Sequence, residues 1–285
     1  MPIHQITIVG TGLIGGSLGL ALKQAGFAGE IVGCDRRTVL DFAEARGAID
    51  RAEADLERSI LASDVIVLAT PVGCILTHLE IVAPLVPPTT LITDAGSTKQ
   101  RFVERAHELF GAKAADRVFP GHPMAGKEFG GFEHAEPDLF RDAAWLITPI
   151  DGADNYTARQ QEYLQLLRSI GARVIAMDAE RHDRLCAWIS HLPQMIATAL
   201  ASTLSDEFGD DDAITQIGGR ALREMTRIAH SPYSMWRDIA LTNTDNIEDA
   251  LQRFEQQLAH LRENLRGPEL RKLFVQANEF GRSSG

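Results

Sequence analysis

The chain has 285 residues, of which 45% are hydrophobic, and carries a formal net charge of −11. This length provides a core for one large or two medium-sized domains, and the acidic balance argues against nucleic acid and membrane surfaces as partners. No apolar stretch reaches the about 18 residues of a membrane span, and no cationic leader precedes the first strand pattern, so neither a span nor a signal peptide is expected. Cys34, Cys74 and Cys186 have no metal-ligand spacing and indicate a reducing compartment, the cytoplasm.

Strand and helix patterns alternate in the first part of the chain, up to about residue 178. Near-continuous apolar runs, typical of parallel strands buried on both faces, lie at 6–9, 31–34, 65–69, 91–93, 118–120, 145–148 and 174–176. Helical patterns between them include 15–25, 39–46, 75–82 and 99–110. This alternation predicts an α/β domain, residues 1–178, built on a doubly wound sheet.

The first predicted strand leads directly into Gly10-Thr11-Gly12-Leu13-Ile14-Gly15, which matches G-x-G-x-x-G and opens the first predicted helix. In this context the first glycine makes the turn, the second admits a pyrophosphate, and the third lets helix and strand pack closely. Backbone N–H groups at the helix start, including those of Leu13 and Ile14, would face the phosphates. The alternative is a glycine-rich turn that binds nothing. The pattern predicts a Rossmann-like fold that binds NAD.

Two further positions complete the predicted cofactor site. Asp35 lies 20 residues after Gly15, at the end of the second predicted strand. A carboxylate there accepts hydrogen bonds from the ribose hydroxyls of NAD and repels the 2′-phosphate of NADP. Arg36 follows directly, so binding of NADP stays open. Thr70-Pro71 ends the next core strand and either lines the cofactor path or forms an ordinary strand-ending turn.

Two segments that follow later strands carry candidates for chemistry. Ser97 and Lys99, in DAGSTK, lie at the sheet edge where ligands of open α/β sheets sit, so both are candidates to face the nicotinamide. The alternatives are helix capping by Ser97 and a solvated Lys99. His122, in GHPMAGKE, lies between a glycine and a proline, which favours a rigid loop that presents the imidazole as a base. The alternative is a structural histidine.

Strand patterns stop after about residue 179, and helical patterns follow at 180–205, 211–229, 232–264 and 268–280. We interpret residues 179–285 as an all-α domain. It would bury more apolar surface by packing against a second copy of itself in a homodimer. Gly267-Pro268 indicates a helix end and a new start. Pro193 predicts a kink near His191, which lies on an apolar helix and is either a site residue or part of the core.

Five segments occur in the order GTGLIGGS, DAGSTK, GHPMAGKE, WISHLPQ and TRIAHSPYSMWRDI. Together they resemble the prephenate/arogenate (cyclohexadienyl) dehydrogenase family of tyrosine biosynthesis, from Ile6 to about Phe280. The resemblance implies a nucleotide-binding domain, a helical dimerisation domain and an active site between them. It also implies NAD-dependent oxidative decarboxylation of a small dicarboxylate: prephenate to 4-hydroxyphenylpyruvate, arogenate to tyrosine, or both.

The resemblance implies roles for single residues. His122 matches the histidine that engages the C4 hydroxyl of the substrate, and Ser97 matches a serine that supports it. His191 matches a substrate-site histidine on the first helix of the all-α domain. Related sequences often carry a second histidine where this chain has Gln194, so no role is assigned to that position.

The resemblance also implies which cationic side chains bind the carboxylates of the substrate. Arg227 matches an arginine that binds a substrate carboxylate, and Arg223 and Trp236 match positions near the same pocket. Arg223 and Arg227 are four residues apart and share a helix face, which by spacing alone is also compatible with a solvated face. Trp236 is equally compatible with a dimer core. No metal is required for this chemistry, and none is expected.

Two other functions fit parts of the pattern. A 3-hydroxyacid or imine dehydrogenase shares the two-domain plan, and a non-catalytic NAD-sensing dimer would bind the cofactor without turnover. The sensing hypothesis does not explain why four candidate site residues occur together in this sequence, since a sensor needs no base. They are Ser97, His122, His191 and Arg227. The sequence does not separate prephenate from arogenate, or NAD from NADP.

Overall fold

A computed structural model of the chain describes residues 2–127, 129–152, 155–209 and 211–283; Glu128, the last residue of GHPMAGKE, lies outside them. Its first part contains a parallel sheet in the order β3-β2-β1-β4-β5-β6. The six strands are β1 (Gln5–Val9), β2 (Glu30–Cys34), β3 (Arg51–Ala52), β4 (Val65–Leu68), β5 (Leu91–Asp94) and β6 (Val118–Phe119). The order reverses between β1 and β4, which is the switch point where open α/β sheets bind ligands.

Helices cover both faces of this sheet. They are α1 (Leu13–Gln24), α2 (Arg37–Ala45), α3 (Leu56–Ser59), α4 (Val72–Val82), α5 (Gln100–Phe110) and α6 (Ala114–Arg117). Along β4, Val65 and Val67 enter one buried cluster, whereas Ile66 and Leu68 enter the other. Burial on both faces explains the continuous apolar runs. The predicted doubly wound α/β fold is confirmed.

The last three predicted strands do not all extend that sheet. Pro120 has no N–H to donate, and β6 ends at Phe119. The chain then starts a three-stranded sheet, in which β7 (Gly121–Pro123) is antiparallel to β8 (Ala144–Ile147) and β8 is parallel to β9 (Arg173–Ala176). Helix α7 (Ala158–Ser169), which is not among the predicted helices, connects β8 to β9. His122 is therefore the central residue of a short strand rather than part of a loop.

The second part of the chain is helical. It contains α8 (Ala179–Cys186), a π-helical turn (Ala187–His191), α9 (Leu192–Phe208), α10 (Asp212–Ile217), α11 (Arg220–Thr226), a 3₁₀ turn (Arg227–His230), α12 (Tyr233–Thr242), α13 (Thr244–Glu263) and α14 (Pro268–Ser283). A domain boundary after residue 178 stays a prediction.

Three of the four predicted helical stretches are interrupted. The first changes to π-helical geometry just before Pro193, which cannot donate a backbone hydrogen bond within the helix. The second is broken at Gly218 and Gly219, between α10 and α11. The predicted single helix over 232–264 is wrong, because Asn243 leaves helical geometry with φ −134° and separates α12 from α13. Its side chain points inward, to the site described below.

The helical part buries little apolar surface within one chain. Its core cluster consists of Ala187, Ile239 and Ile247, with Trp236 among the side chains packed against it. Large apolar side chains in the same part stay exposed, including Ile217, Tyr233, Leu241 and Phe274. Among the residues that the structure describes, no helix combines the length and hydropathy needed to cross a membrane.

Candidate active site

The glycine-rich loop between β1 and α1 is shaped by close backbone contacts. Gly10 has φ +93°, and a Cβ there would lie 2.7 Å from Cγ2 of Thr70 and 2.8 Å from the backbone of Ala69. A Cβ on Gly15 would collide with the carbonyl oxygen of Gly10. At Gly12, in contrast, a Cβ would meet no atom of the described residues within 4 Å. Only glycine fits at Gly10 and Gly15, while Gly12 borders open space through which a ligand can approach the backbone.

The helix that follows this loop begins at Leu13, which is buried, and Ile14, which is half-buried. Their N–H groups lie in the first turn of α1, where backbone donors have no partner within the helix. Neither N–H group has a backbone acceptor among the described residues, so this turn presents donors beside the open space at Gly12. The predicted role of Leu13 and Ile14 as phosphate-facing residues stays a prediction.

The carboxylate of Asp35, at the end of β2, is tied to the same loop. Its Oδ2 accepts a hydrogen bond from the backbone N–H of Thr11 at 2.8 Å, and its Oδ1 accepts one from the N–H of Arg36 at 2.7 Å. The Arg36 side chain is 86% exposed. Asp35 thus holds the loop in shape and keeps a negative charge next to it, and the exposed Arg36 guanidinium lies 4.0 Å from its Oδ1.

The other predicted cofactor residues lie across from Gly10. Thr70 Oγ1 lies 3.2 Å from Nδ1 of His78, a contact that fixes the strand-ending turn against α4. Pro71 is exposed and immediately precedes α4. Ser97 is half-buried in the turn between β5 and α5. The structure therefore gathers the predicted cofactor residues and Ser97 around the carboxyl ends of β1, β2, β4 and β5.

Lys99 is not solvated, nor does it point freely toward a ligand. Its ammonium forms a fully buried ion pair with Asp94, the last residue of β5. Asp94 also accepts hydrogen bonds from the N–H groups of Gly96 at 2.9 Å and Gly121 at 3.1 Å. Burial raises the pKa of Asp94, although Lys99 opposes this shift. The pair joins β5, α5 and β7 at one point, directly before His122.

Helix α5 is capped from a distant part of the chain. Ser97, the capping alternative from the sequence, makes no side-chain cap. Instead, the carboxylate of Asp183, on α8, accepts hydrogen bonds from the N–H groups of Lys99 at 2.7 Å and Gln100 at 2.9 Å. A carboxylate at a helix N-terminus is favourable, because it satisfies free donors and complements the helix dipole. This cap fixes α8 against the α/β part.

The same carboxylate begins a chain of hydrogen bonds that ends at His122. Oδ1 of Asp183 lies 2.7 Å from Nδ1 of His182, and Nε2 of His182 lies 2.9 Å from Nδ1 of His122. A carboxylate only accepts, so Nδ1 of His182 carries the proton and its Nε2 has the lone pair. Nδ1 of His122 must then donate, which leaves the lone pair of His122 on Nε2.

Both imidazoles are neutral at neutral pH. Burial, together with the nearby charges of His182 and Lys99, lowers the pKa of His122 well below its ordinary value. Burial also lowers the pKa of His182, although its hydrogen bond to Asp183 opposes the shift. Nε2 of His122 makes no hydrogen bond within the described residues. His122 is therefore an oriented neutral base with one free lone pair.

A second group of polar side chains lies around His191, at the end of the π-helical turn. Nδ1 of His191 lies 3.2 Å from Nδ2 of Asn243, which also donates to the carbonyl oxygen of Asp183 at 2.8 Å. Nδ1 is therefore an acceptor, and Nε2 carries a proton. The Trp236 indole packs edge-on against the imidazole with ring centroids 5.8 Å apart. Burial lowers the pKa of His191 to about 4.

Two buried donors in this group have no hydrogen-bond partner among the residues that the structure describes. Nε2 of His191 and Nε1 of Trp236 make no hydrogen bond within the described part of the chain. Buried polar groups without partners are costly, so such donors indicate a ligand that accepts from them. Gln194, which replaces the second histidine of related sequences, is buried and donates to Oγ1 of Thr198 at 3.3 Å.

The predicted arginines lie on a segment that packs against α9. Arg223 is exposed on α11 and donates to the carbonyl oxygen of Gly218 at 3.0 Å. Arg227 is exposed and begins the 3₁₀ turn that follows. The helix they were expected to share thus ends at Thr226, between them. Their predicted contacts with a substrate stay predictions.

Sequence reasoning missed four residues of this site: Asp94, His182, Asp183 and Asn243. No spacing links these residues to His122. Asp94 reaches its neighbour Gly121 from the end of β5, and the other three are placed by the packing of the helical part. One local signal was available. The pair His182-Asp183 places adjacent ionisable residues on a helix that continues into an apolar stretch, and both are completely buried.

Comparisons with known proteins agree with this architecture. The sequence profile of the prephenate dehydrogenase nucleotide-binding domain matches residues 18–176, and that of the prephenate dehydrogenase dimerization domain matches residues 178–276. A prephenate dehydrogenase of Lactococcus lactis is 34% identical over 257 residues, which are 90% of this chain and 70% of that protein.

Two solved structures extend the comparison. The crystal structure of prephenate dehydrogenase from A. aeolicus in complex with hydroxyphenyl propionate and NAD⁺ has a TM-score of 0.84 at 28% identity, and the alignment covers 100% of this chain and 96% of that one. Synechocystis arogenate dehydrogenase has a TM-score of 0.78 at 30% identity, with 99% and 100% covered. The chain therefore belongs to the prephenate dehydrogenase family.

Proposed function

We propose that this protein is an NAD-dependent dehydrogenase that oxidatively decarboxylates prephenate, arogenate or both, as a step in tyrosine biosynthesis. The observation that carries the proposal is the pair of hydrogen bonds that links Asp183 to His182 and His182 to His122. It holds His122 neutral, with its free lone pair on Nε2. A histidine in this state is a general base and needs no prior deprotonation at neutral pH.

The residues around the glycine-rich loop fit NAD. The open space at Gly12 lets a pyrophosphate approach the backbone, and the first turn of α1 offers free N–H donors to it. The carboxylate of Asp35 is placed to accept from the adenosine ribose. When bound, the nicotinamide accepts a hydride from the substrate. NAD⁺ is present in the related A. aeolicus structure.

The proposed reaction needs one base and an anion-binding pocket. His122 Nε2 accepts the proton of the C4 hydroxyl as hydride leaves the same carbon. The resulting ring ketone withdraws electrons from the bond between C1 and its carboxylate, which leaves as CO₂, and the protonated His122 returns its proton to the phenolate oxygen. Formation of the aromatic ring drives the step, so orientation and charge balance are the main tasks of the protein.

Unpartnered N–H groups provide part of the substrate pocket. Nε2 of His191 and Nε1 of Trp236 are buried donors that a substrate carboxylate can satisfy. Arg227 is proposed to supply a bidentate guanidinium for a carboxylate, with Arg223 close by. Ser97 is proposed to support His122 and the substrate hydroxyl from the turn before α5. These positions together offset the negative charge of a dicarboxylate in an acidic protein.

A homodimer formed through the helical part is also proposed. That part exposes many large apolar side chains in a single chain, and the profile that matches it describes a dimerization domain. The proposed location is the cytoplasm, where free thiols persist; all three cysteines are free.

Steady-state kinetics with both substrates and both cofactors test this function. We expect reduced cofactor and CO₂ to form in equal amounts from at least one of the two cyclohexadienyl substrates, and kcat/KM to be higher with NAD than with NADP. Reduction without CO₂ release, or turnover confined to 3-hydroxyacids, would contradict the proposal. Cofactor binding without any turnover would favour the sensing alternative.

A further inference from the structure

Three side chains of the types that bind metal ions in proteins lie together on the Nδ1 side of the His122 ring. They are His122, His182 and Cys186, all buried. Sγ of Cys186 lies 3.9 Å from Nδ1 of His122 and 3.6 Å from Nε2 of His182, while the two nitrogens are 2.9 Å apart. His182 and Cys186 are four residues apart on α8, so one helix face supplies two of the three ligand atoms.

These separations match the edges of a zinc site. With Zn–N of about 2.0–2.1 Å and Zn–S of about 2.3 Å, a tetrahedral ion separates two nitrogens by about 3.3 Å and a nitrogen and a sulfur by about 3.6 Å. Each separation in the protein is therefore within about 0.4 Å of the value required. Imidazole nitrogens and cysteine thiolates are both zinc ligands, and three protein ligands leave the fourth tetrahedral position open.

The surroundings of the three ligands also suit a divalent cation. Nδ1 of His182 bonds to Asp183, which is the carboxylate–histidine arrangement that orients zinc-bound imidazoles. Asp183 is itself held by two backbone N–H groups. Lys99 is the nearby cation, but Asp94 already neutralises it. One Zn²⁺, one thiolate and the Asp183 carboxylate sum to zero charge, so the buried cluster tolerates the ion.

We propose that His122, His182 and Cys186 form an inhibitory binding site for Zn²⁺. Metal binding forms two Zn–N bonds and one Zn–S bond, and the thiol proton of Cys186 goes to solvent. The proton on Nδ1 of His122 moves to its Nε2, since the metal takes the Nδ1 lone pair. His122 then has no free lone pair and cannot accept a substrate proton. This effect on turnover rests on the proposed function, whereas the metal site itself does not.

The first experiment uses the whole protein without substrate. Co²⁺ is titrated into the metal-free protein and followed by absorption, because a thiolate ligand gives cobalt a charge-transfer band in the near ultraviolet. We expect this band to saturate at one Co²⁺ per chain and to disappear when Zn²⁺ is added. This measurement needs no variant, and it decides the metal site even if neither prephenate nor arogenate is turned over.

The second experiment compares two cysteine variants. In Cys186→Ala we expect the cobalt band to be lost. Inhibition by Zn²⁺, measured relative to the activity of the same variant without metal, should weaken by about 100-fold. Cys74→Ala is the matched control, because Cys74 is exposed and distant from the cluster in sequence; its band and inhibition should equal those of the native chain. Absence of the band in the native protein, or its persistence in Cys186→Ala, would overturn the proposal.

Discussion

Nε2 of His182 lies 2.9 Å from Nδ1 of His122, although the two residues are 60 positions apart. His122 belongs to the small sheet and His182 to α8, so the proton position on the proposed base depends on the packing of the helical part against the α/β part. The cap that Asp183 makes on α5 fixes that packing. Helix capping and tautomer control therefore depend on the same carboxylate.

Replacing His182 tests this relationship. In His182→Phe, Nδ1 of His122 loses its acceptor, the two tautomers become similar in energy, and kcat should fall by about 10- to 100-fold. His182→Gln is the matched variant, since its carbonyl oxygen can still accept from Nδ1, and it should retain more activity than the phenylalanine variant. Steady-state kinetics with saturating NAD measure both.

A purely structural role for His182 predicts a different result. The two variants would then lose activity in proportion to their loss of thermal stability, and the pH profile of kcat/KM would not change. We expect instead that the profile changes in His182→Phe, because the charge that His182 carries when protonated, which lowers the pKa of His122, is removed. NAD affinity should stay within about twofold of native.

The second prediction concerns His122 itself. Its pKa lies well below 6.5, so it stays an unprotonated base as the pH falls below neutral. On this acidic side, kcat/KM should stay level through pH 6.5 and decline only as the pH passes through the depressed pKa. His122→Asn should lower kcat by about 100-fold or more and keep NAD affinity, which isothermal titration measures. Near-native turnover in that variant would remove His122 as the base.

The strand and helix patterns predicted the α/β part well because both periodicities report burial. The sequence singled out the glycine-rich turn and His122 for a local reason, since glycine and proline constrain the backbone at their own positions. His122 nevertheless lies in a strand and not in the predicted loop. Asp183, His182 and Asn243 could not be found in this way. Asp183 caps a helix 84 residues away from it in sequence, and Asn243 interrupts a stretch whose apolar spacing continues on both sides. A contact between two packed elements does not change the spacing of apolar residues in either of them, so it cannot be predicted from that spacing.

Cofactor choice should respond to the charge of Asp35. Asp35→Asn keeps a carbonyl oxygen that can accept from the N–H of Thr11, but it removes the negative charge that repels a 2′-phosphate. The exposed Arg36 then becomes available to that phosphate. We expect the ratio of kcat/KM with NADP to that with NAD to rise by about tenfold. In the double variant with Arg36→Ala, this gain should largely disappear; an unchanged ratio in the single variant would contradict the assignment.

The arginine assignment predicts an effect on substrate binding. Arg227→Ala should raise KM for substrate by about 10- to 100-fold, and Arg227→Lys should lie between it and the native chain, because lysine keeps the charge but loses the bidentate fork. Arg220→Ala is the control: Arg220 is 88% exposed, pairs with Glu224 and has no assigned role, so its KM should not change. An unchanged KM in Arg227→Ala would place this residue outside the pocket.

Buried histidines should make the protein sensitive to acid. Burial lowers the pKa of His191 to about 4 from 6.5, so between these values the unfolded chain binds a proton that the folded chain does not. The free energy of unfolding is therefore largest above pH 6.5 and falls as the pH drops from 6.5 toward 4, by roughly 3 kcal/mol for His191 alone.

His191→Gln isolates this contribution from the titration of acidic residues. We expect urea unfolding at fixed protein concentration to show a smaller loss of stability between pH 7 and about pH 4.5 in the variant than in the native chain. The difference between the native and variant free energies of unfolding should therefore shift in favour of the variant as the pH falls from 6.5 toward 4. Parallel curves would mean that His191 titrates normally. Such a result would contradict the proposal that Nε2 of a neutral, buried His191 donates a hydrogen bond to the substrate carboxylate.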